Sequence, residues 1–170
     1  SLEVSAETGS EIRVTLTASG TILFAGSGAK ASTPVLREYF DYDCEYCREH
    51  ALLERPWIDA EYVATRAIVI ERIFVPMTAW GERLAVASFC AFEQGLFEEF
   101  ELLLLSEPPR TEAELLLWAK EARLKQPQFS QCLKRAKRLF PVPSFPDGTK
   151  VERGPAFAID IAPYFPLQDG

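Results

Sequence analysis

Residues 40–50 read FDYDCEYCREH. The stretch sets Cys44 and Cys47 three positions apart, with His50 three further on, directly after an apolar run. That spacing suits three chemistries: electron exchange through a dithiol, metal ligation, or a closed structural staple. The elements on either side narrow the choice.

Upstream, VLREYFDY (35–42) is rich in β-branched and aromatic residues and reads as a strand. The period of two puts Leu36, Glu38, Phe40 and Tyr42 on one face. Downstream, residues 45–53 are helical in composition, and the helix is expected to end near Arg55 and Pro56, because proline disfavours helix in the residue before it. ATRAIVIERIFVP (64–76) is the best candidate for a central strand. Strand, helix and strand in this order imply a parallel pair with a crossover helix. Nearer the start, EIRVTLT (11–17) and TILFAG (21–26) flank Ala18, Ser19 and Gly20, the pattern of a β-hairpin.

From Trp80 to Leu139 apolar residues recur at helical spacing. GERLAVASFCAFEQGLFEEFELLLL forms one long helix or two joined near Gly95, TEAELLLWAKEARL opens with Thr111 and Glu114 at capping-box spacing, and FSQCLKRAKRLF follows Pro127. This is a helical block between two halves of a sheet. The proline-rich tail from Phe140 holds one convincing strand, AFAIDIA (156–162), immediately after Pro155. A proline there is tolerated, or is cis in a tight turn.

The chain has 170 residues, which fits one domain with an insertion, and its 48% hydrophobic and 12% aromatic content fits a packed core. A formal charge of −7 gives nucleic acid or an anionic membrane little to hold by phosphate neutralisation. The cluster Lys134, Arg135, Lys137 and Arg138 reads as the solvated face of a helix. No apolar run reaches the roughly 18–20 residues of a membrane span. The chain opens on Ser1 rather than Met, so a removed targeting segment, a cut from a longer protein or a lost membrane anchor is expected.

Cys44 falls at the strand-to-helix junction and Cys47 one turn inside the helix. Unpaired amide N–H groups and the positive end of the helix dipole favour a thiolate at the first position. The second cysteine is then placed to resolve a mixed disulfide. A metal would take Cys44, Cys47 and His50, the chain's single histidine, and would need a fourth ligand from Cys90, Cys132 or a carboxylate. Structural zinc usually closes with a second paired motif, and none is present. A staple across so short a loop restrains the unfolded chain little. A reactive dithiol is favoured. Glu38, on the apolar strand face, is expected to have a raised pKa and to serve as proton donor or acceptor for thiol exchange, unless it sits on an edge and faces water. Cys90 and Cys132 lie in different helices of the block. They pair with each other, closing a loop of about 42 residues worth on the order of 4 kcal/mol in the chain-entropy model, or remain buried thiols acting as small hydrophobic residues.

These pieces together resemble the DsbA-like branch of the thioredoxin superfamily, thiol-disulfide oxidoreductases with a helical insertion. The resemblance rests on VLREYFDYDCEYC, FCAFEQGLFEEF, FSQCLKRA and GPAFAID, and covers most of residues 34–162 in the family's order. It implies an α/β thioredoxin fold with an N-terminal β-hairpin extension over 1–33, a thioredoxin-like core over 34–77 and 140–170, and an inserted helical subdomain over 78–139. It also implies that Cys44 is the nucleophile, Cys47 the resolving thiol and Glu38 the buried acid. Pro155 would be cis, and Gly154, Pro155, Glu45 and Tyr46 would meet substrate. Some relatives resemble the Cys90–Cys132 pairing.

The family implies no metal or organic cofactor, an extracytoplasmic setting (periplasm or cell envelope), and reduced or unfolded client polypeptides as substrate. A membrane quinone-linked oxidase or a reductase would be the redox partner, and the expected state is a monomer that does not bind nucleic acid. An isomerase or reductase with the same site, or a non-catalytic binding module, are the other readings. Glu45 stands where strongly oxidising members carry proline, and its carboxylate opposes negative charge on Cys44, which points to a less oxidising couple. Gly154 replaces a bulkier residue, and the short C-terminal stretch IAPYFPLQDG lacks a helical pattern, so the family's last strand and helix are expected to be shortened or absent.

Overall fold

The computed structural model describes residues 2–4, 12–17 and 19–135. Five strands form one sheet: β1 (Leu2–Val4), β2 (Ile12–Leu16), β3 (Ile22–Gly26), β4 (Val35–Phe40) and β5 (Val69–Phe74), in the spatial order β1-β2-β3-β5-β4. The hairpin β2–β3 is antiparallel, and its second strand pairs antiparallel with β5. The hairpin therefore extends the central sheet by direct hydrogen bonding. β1, which the sequence pattern did not suggest, adds a further antiparallel strand beside β2.

β4 and β5 run parallel, as the strand-helix-strand reading requires. Their crossover begins with α1 (Glu45–Leu53). The helical path does not stop at Pro56. It restarts as α2 (Arg55–Ile58), with Pro56 in the first turn, where a missing N–H costs nothing, and widens into a π-helical turn over Asp59–Val63. Gly26 lets this turn approach the sheet, since a Cβ there would lie 2.4 Å from the Val63 carbonyl oxygen.

The register sets one face of the sheet. Leu36, Glu38 and Phe40 of β4 lie opposite Ile70, Arg72 and Phe74 of β5, and Ile22 and Phe24 of β3 lie opposite Arg72 and Ile70. Ile22, Phe24, Phe40, Ile70 and Phe74 are all buried on it. The helical block packs onto this core through α3 (Ala79–Glu93), α4 (Phe97–Ser106), α5 (Glu112–Glu121) and α6 (Gln126–Arg135). The run from Gly81 to Leu105 divides into two helices at Gly95, whose φ of +71° is a conformation glycine adopts without strain. Thr111 caps α5 by accepting the Glu114 N–H, while the Glu114 side chain accepts the Arg110 N–H. Cys90 of α3 and Cys132 of α6, both buried, are joined as a disulfide. Lys134 and Arg135 are exposed at the end of α6. Lys137, Arg138, the strand expected at 156–162 and the whole 140–170 half of the expected core lie outside the described residues.

Candidate active site

The Cys-x-x-Cys segment is built where β4 ends. A turn over residues 41–44 follows Phe40, closed by a hydrogen bond from the Cys44 N–H to the Asp41 carbonyl (3.1 Å). Cys44 is the N-cap residue of α1, with extended backbone (φ −88°, ψ 117°), and its side chain makes no capping bond. Its sulfur therefore sits at the end of the helix where amide N–H groups lack intrahelical partners. Cys47 lies one turn on, more enclosed and packed against the core. Both are free thiols. Burial and then a hydrogen bond to Cys44 push the Cys47 thiol up to about 12, against a bond from the Asp41 backbone N–H and with repulsion from the Asp41 charge as the smallest contribution, so at neutral pH it keeps its proton and donates it toward Cys44. Between the cysteines Glu45 is exposed and Tyr46 is 81% exposed.

Asp41 was not singled out in the sequence, yet it anchors this turn. The residue is 3% exposed. One carboxylate oxygen accepts the Asp43 N–H and the other the Met77 N–H, each at 2.9 Å. The second bond ties the cysteine turn to the segment leading into α3. There Thr78 caps α3 by accepting the Gly81 N–H (2.8 Å) and donates to the Asp43 carboxylate (2.6 Å). Gly81 is required by this packing, because a Cβ at that position would sit 2.3 Å from the Asp41 carboxylate oxygen. Buried Arg48, one residue after Cys47, donates to the Tyr42 carbonyl at 2.7 Å. Among the described residues Asp41 has no ion-pair partner. Its carboxyl is raised by burial, which outweighs the two backbone N–H bonds, and repulsion from Asp43 adds to the rise while Arg48 opposes it.

Glu38 differs from its expectation. It does lie on the buried face, but Arg72 stands directly across the parallel ladder and donates to it at 2.6 Å. Arg55 reaches it from the crossover with two bonds of 2.9 Å. His50 closes the third side at 3.4 Å and also meets Glu54 at 2.7 Å. Burial alone pushes the Glu38 carboxyl up, yet Arg72, His50 and Arg55 together hold it well below the usual carboxylate range. The expectation of a raised pKa is thus corrected: an apolar strand face gave burial, and the cations crossing it reversed the sign. Arg72 is itself 2% exposed, pairs with Glu101, and lies over the Phe40 ring at 4.0 Å. Tyr42 donates to the same Glu101 (2.8 Å), and Arg55 also holds Asp59.

His50 is accordingly an electrostatic partner of Glu38, half-buried on α1. Its imidazole is raised chiefly by the bond to Glu38, against the effect of burial, with Glu54 adding to the rise. Among the described residues no three His, Cys, Asp or Glu side chains converge as a metal site. Gly154 and Pro155 lie outside the described residues.

A parallel β-α-β unit carrying a Cys-x-x-Cys at the first helix N-terminus, followed by a helical block, is a fold found in several solved thiol-disulfide oxidoreductases. The chain shares it with MdbA, a thiol-disulfide oxidoreductase from Corynebacterium diphtheriae, at a TM-score of 0.58 and 14% identity, covering 75% of this chain and 73% of that one. BdbD from Bacillus subtilis matches at a TM-score of 0.55 and 19% identity over 70% and 68% of the two chains. A thioredoxin-like oxidoreductase from Silicibacter pomeroyi DSS-3 matches at 0.54 and 22%, covering 68% of this chain and 64% of that one, so the chain spans less than two thirds of that protein's length. No family model matches the sequence, and no curated relative does.

Proposed function

We propose that the protein is a thiol-disulfide oxidoreductase that exchanges disulfides with client polypeptides through Cys44 and Cys47. The observation that carries this reading is the asymmetric pair at the N-terminus of α1: a sulfur at the cap position and, one turn inside, a thiol packed against the core and hydrogen-bonded to it. In the oxidative direction a client thiolate attacks the Cys44 sulfur of the Cys44–Cys47 disulfide. The S–S bond breaks, a mixed disulfide forms at Cys44, and Cys47 departs with the electron pair and takes up a proton. A second client thiolate then attacks the client sulfur of the mixed disulfide and releases Cys44. The client is oxidised by two electrons and the Cys44–Cys47 pair is reduced by two.

The buried Cys90–Cys132 bond supports an extracytoplasmic setting, since such bonds persist where thiols are not kept reduced. Among the described residues no helix is long and apolar enough to cross a membrane. Exposed Tyr46 between the cysteines offers an aromatic contact to an unfolded client, with Glu45 beside it. Gly154 and Pro155 are proposed to complete the substrate side from the remainder of the core, beside β4, the edge strand among the described residues. A quinone-linked membrane oxidase or a reductase would reset the pair.

The test is the equilibrium of the pair in glutathione buffers, read by alkylation trapping and mass spectrometry. Glu45 leads to the expectation of a two-electron couple between the values of strong oxidants, about −120 mV, and reducing thioredoxins, about −270 mV. A pair that never titrates would refute an exchange function and leave a resemblance of fold alone.

A further inference from the structure

Two carboxylates are buried near the dithiol, and they are held differently. Glu38 is surrounded by Arg55, Arg72 and His50. Asp41 is equally enclosed but bears only backbone N–H donors on its oxygens, from Asp43 and Met77. It also belongs to the same tight turn as Cys44, and its backbone N–H bonds to the Cys47 sulfur, which by itself favours the thiolate, so only the carboxylate can oppose it. The glycine at position 81 keeps α3 from displacing the carboxylate, so its location is built into the packing. The groups facing this corner are Asp43 in the turn, Cys44, Cys47 and Arg48 on α1, and the Thr78 hydroxyl and Gly81 at the start of α3. Arg48 donates to the Tyr42 carbonyl while its charge still pulls the Asp41 carboxyl down, and the exposed Arg110 pairs with Asp43 at 3.8 Å, so neither cation forms an ion pair with Asp41 itself.

We infer that Asp41, rather than Glu38, is the positioning residue that governs the proton on Cys47 and thereby the rate at which Cys47 resolves a mixed disulfide at Cys44. This rests on the exchange reading above. A buried negative charge without an ion-pair partner opposes a second one forming on the Cys47 sulfur. The neutralised Glu38 exerts no comparable field. Cys47 attacks only as its thiolate, so Asp41 keeps the resolving step slow at neutral pH and lengthens the life of the client-bound intermediate. The step itself balances: the Cys47 thiolate attacks the Cys44 sulfur, the client sulfur leaves with the electron pair, and the proton released by Cys47 passes to solvent.

The experiment uses Cys44 carrying a chromogenic aryl thiol as a mixed disulfide, with release followed by absorbance from pH 5 to 10. The variants are Asp41→Asn and Glu38→Gln, with Cys47→Ser as a control. In Asp41→Asn the rate profile should shift to lower pH by about one unit. That raises the thiolate fraction about tenfold, and the accompanying loss of nucleophilicity leaves release about threefold faster near neutral pH. Glu38→Gln should move the profile much less. An unchanged or slower rate in Asp41→Asn overturns the inference, a slower one because it would make Asp41 a base that accepts the Cys47 proton. If release in the wild-type protein matches Cys47→Ser, the exchange reading fails instead. Should Asp41→Asn not fold, carboxyl ¹³C shifts of the reduced wild-type protein decide the matter. The Asp41 signal should show a second inflection where Cys47 titrates, absent in the oxidised protein. A single inflection in both overturns the proposal.

Discussion

Glu38 and Asp41 lie three residues apart on one strand-and-turn segment, both enclosed, and their environments drive them in opposite directions. Around Glu38 the fold gathers cations: Arg72 from the neighbouring strand, Arg55 from the crossover and His50 from α1. Around Asp41 it supplies N–H dipoles, a close-packed glycine and the charge of Arg48 at a distance, with no ion pair. Burial raises both carboxyls, and only at Glu38 do opposite charges reverse the outcome. The depth of a carboxylate therefore says little about its protonation. What matters is whether the fold brings a cation to it, and at Glu38 the sheet register does so.

Removing that cation should give the largest effect. Arg72→Met leaves Glu38 and Glu101 buried together without their shared partner, and breaking a buried pair from one side costs about 3–5 kcal/mol. Urea denaturation at pH 7 should show that loss. A decrease below about 1 kcal/mol would mean that Arg55 and His50 neutralise Glu38 alone. The pH dependence follows from the lowered Glu38. Its contribution is present above the unfolded carboxyl value near 4.5 and fades as pH falls below it through the folded value, so acid sensitivity should weaken in Glu38→Gln. Asp41 has the opposite sign. Its raised carboxyl costs stability as pH climbs through the range between the unfolded and folded values, and Asp41→Asn should remove that loss while leaving the acid-side loss due to Glu38 in place.

The next effect tests the packing on the Asp41 side. Gly81→Ala places a methyl group 2.3 Å from the carboxylate oxygen, and one of the two must move. Because Gly81 lies in a helix, alanine favours the element by about 1 kcal/mol. The clash should outweigh it, for a net loss of about 1–3 kcal/mol, the usual cost of overpacking. The Cys47 titration should shift with it, measured by differential alkylation. Unchanged stability together with an unchanged titration would show that the Asp41 pocket is loose, and the contrast between the two carboxylates would lose its structural basis.

Much of this arrangement was readable in the sequence, and the exceptions share a cause. Alternation in VLREYF placed Glu38 on the inner face, and the spacing of Cys44 and Cys47 placed them on either side of the first turn of α1. The same alternation, applied to IVIERIF, puts Arg72 in phase with Ile70 and Phe74, so a buried arginine was legible there. Its pairing with Glu38 depends on parallel register, which no local pattern reveals. Asp41 was hidden for a related reason: its partners Met77 and Gly81 come from beyond the next strand, 36 and 40 positions away. The end of α1 ahead of Pro56 was legible, since α1 stops at Leu53, but the new helix that begins at Arg55 was not.

The smallest effect concerns His50, and it asks whether the cationic side of the comparison extends to solvent. The imidazole is about one-third exposed, bridging Glu38 and Glu54, so screening reduces whatever its raised value represents. Because the folded value is raised, the contribution is complete below the unfolded value near 6.5 and disappears as pH rises through the folded one. His50→Gln should therefore cost under about 1 kcal/mol at pH 5.5 and less at pH 9. A loss equal at both pH values would mean that His50 supports Glu38 through packing and hydrogen bonding. Two arginines would then supply the whole charge balance, and the contrast with Asp41 would rest on them alone.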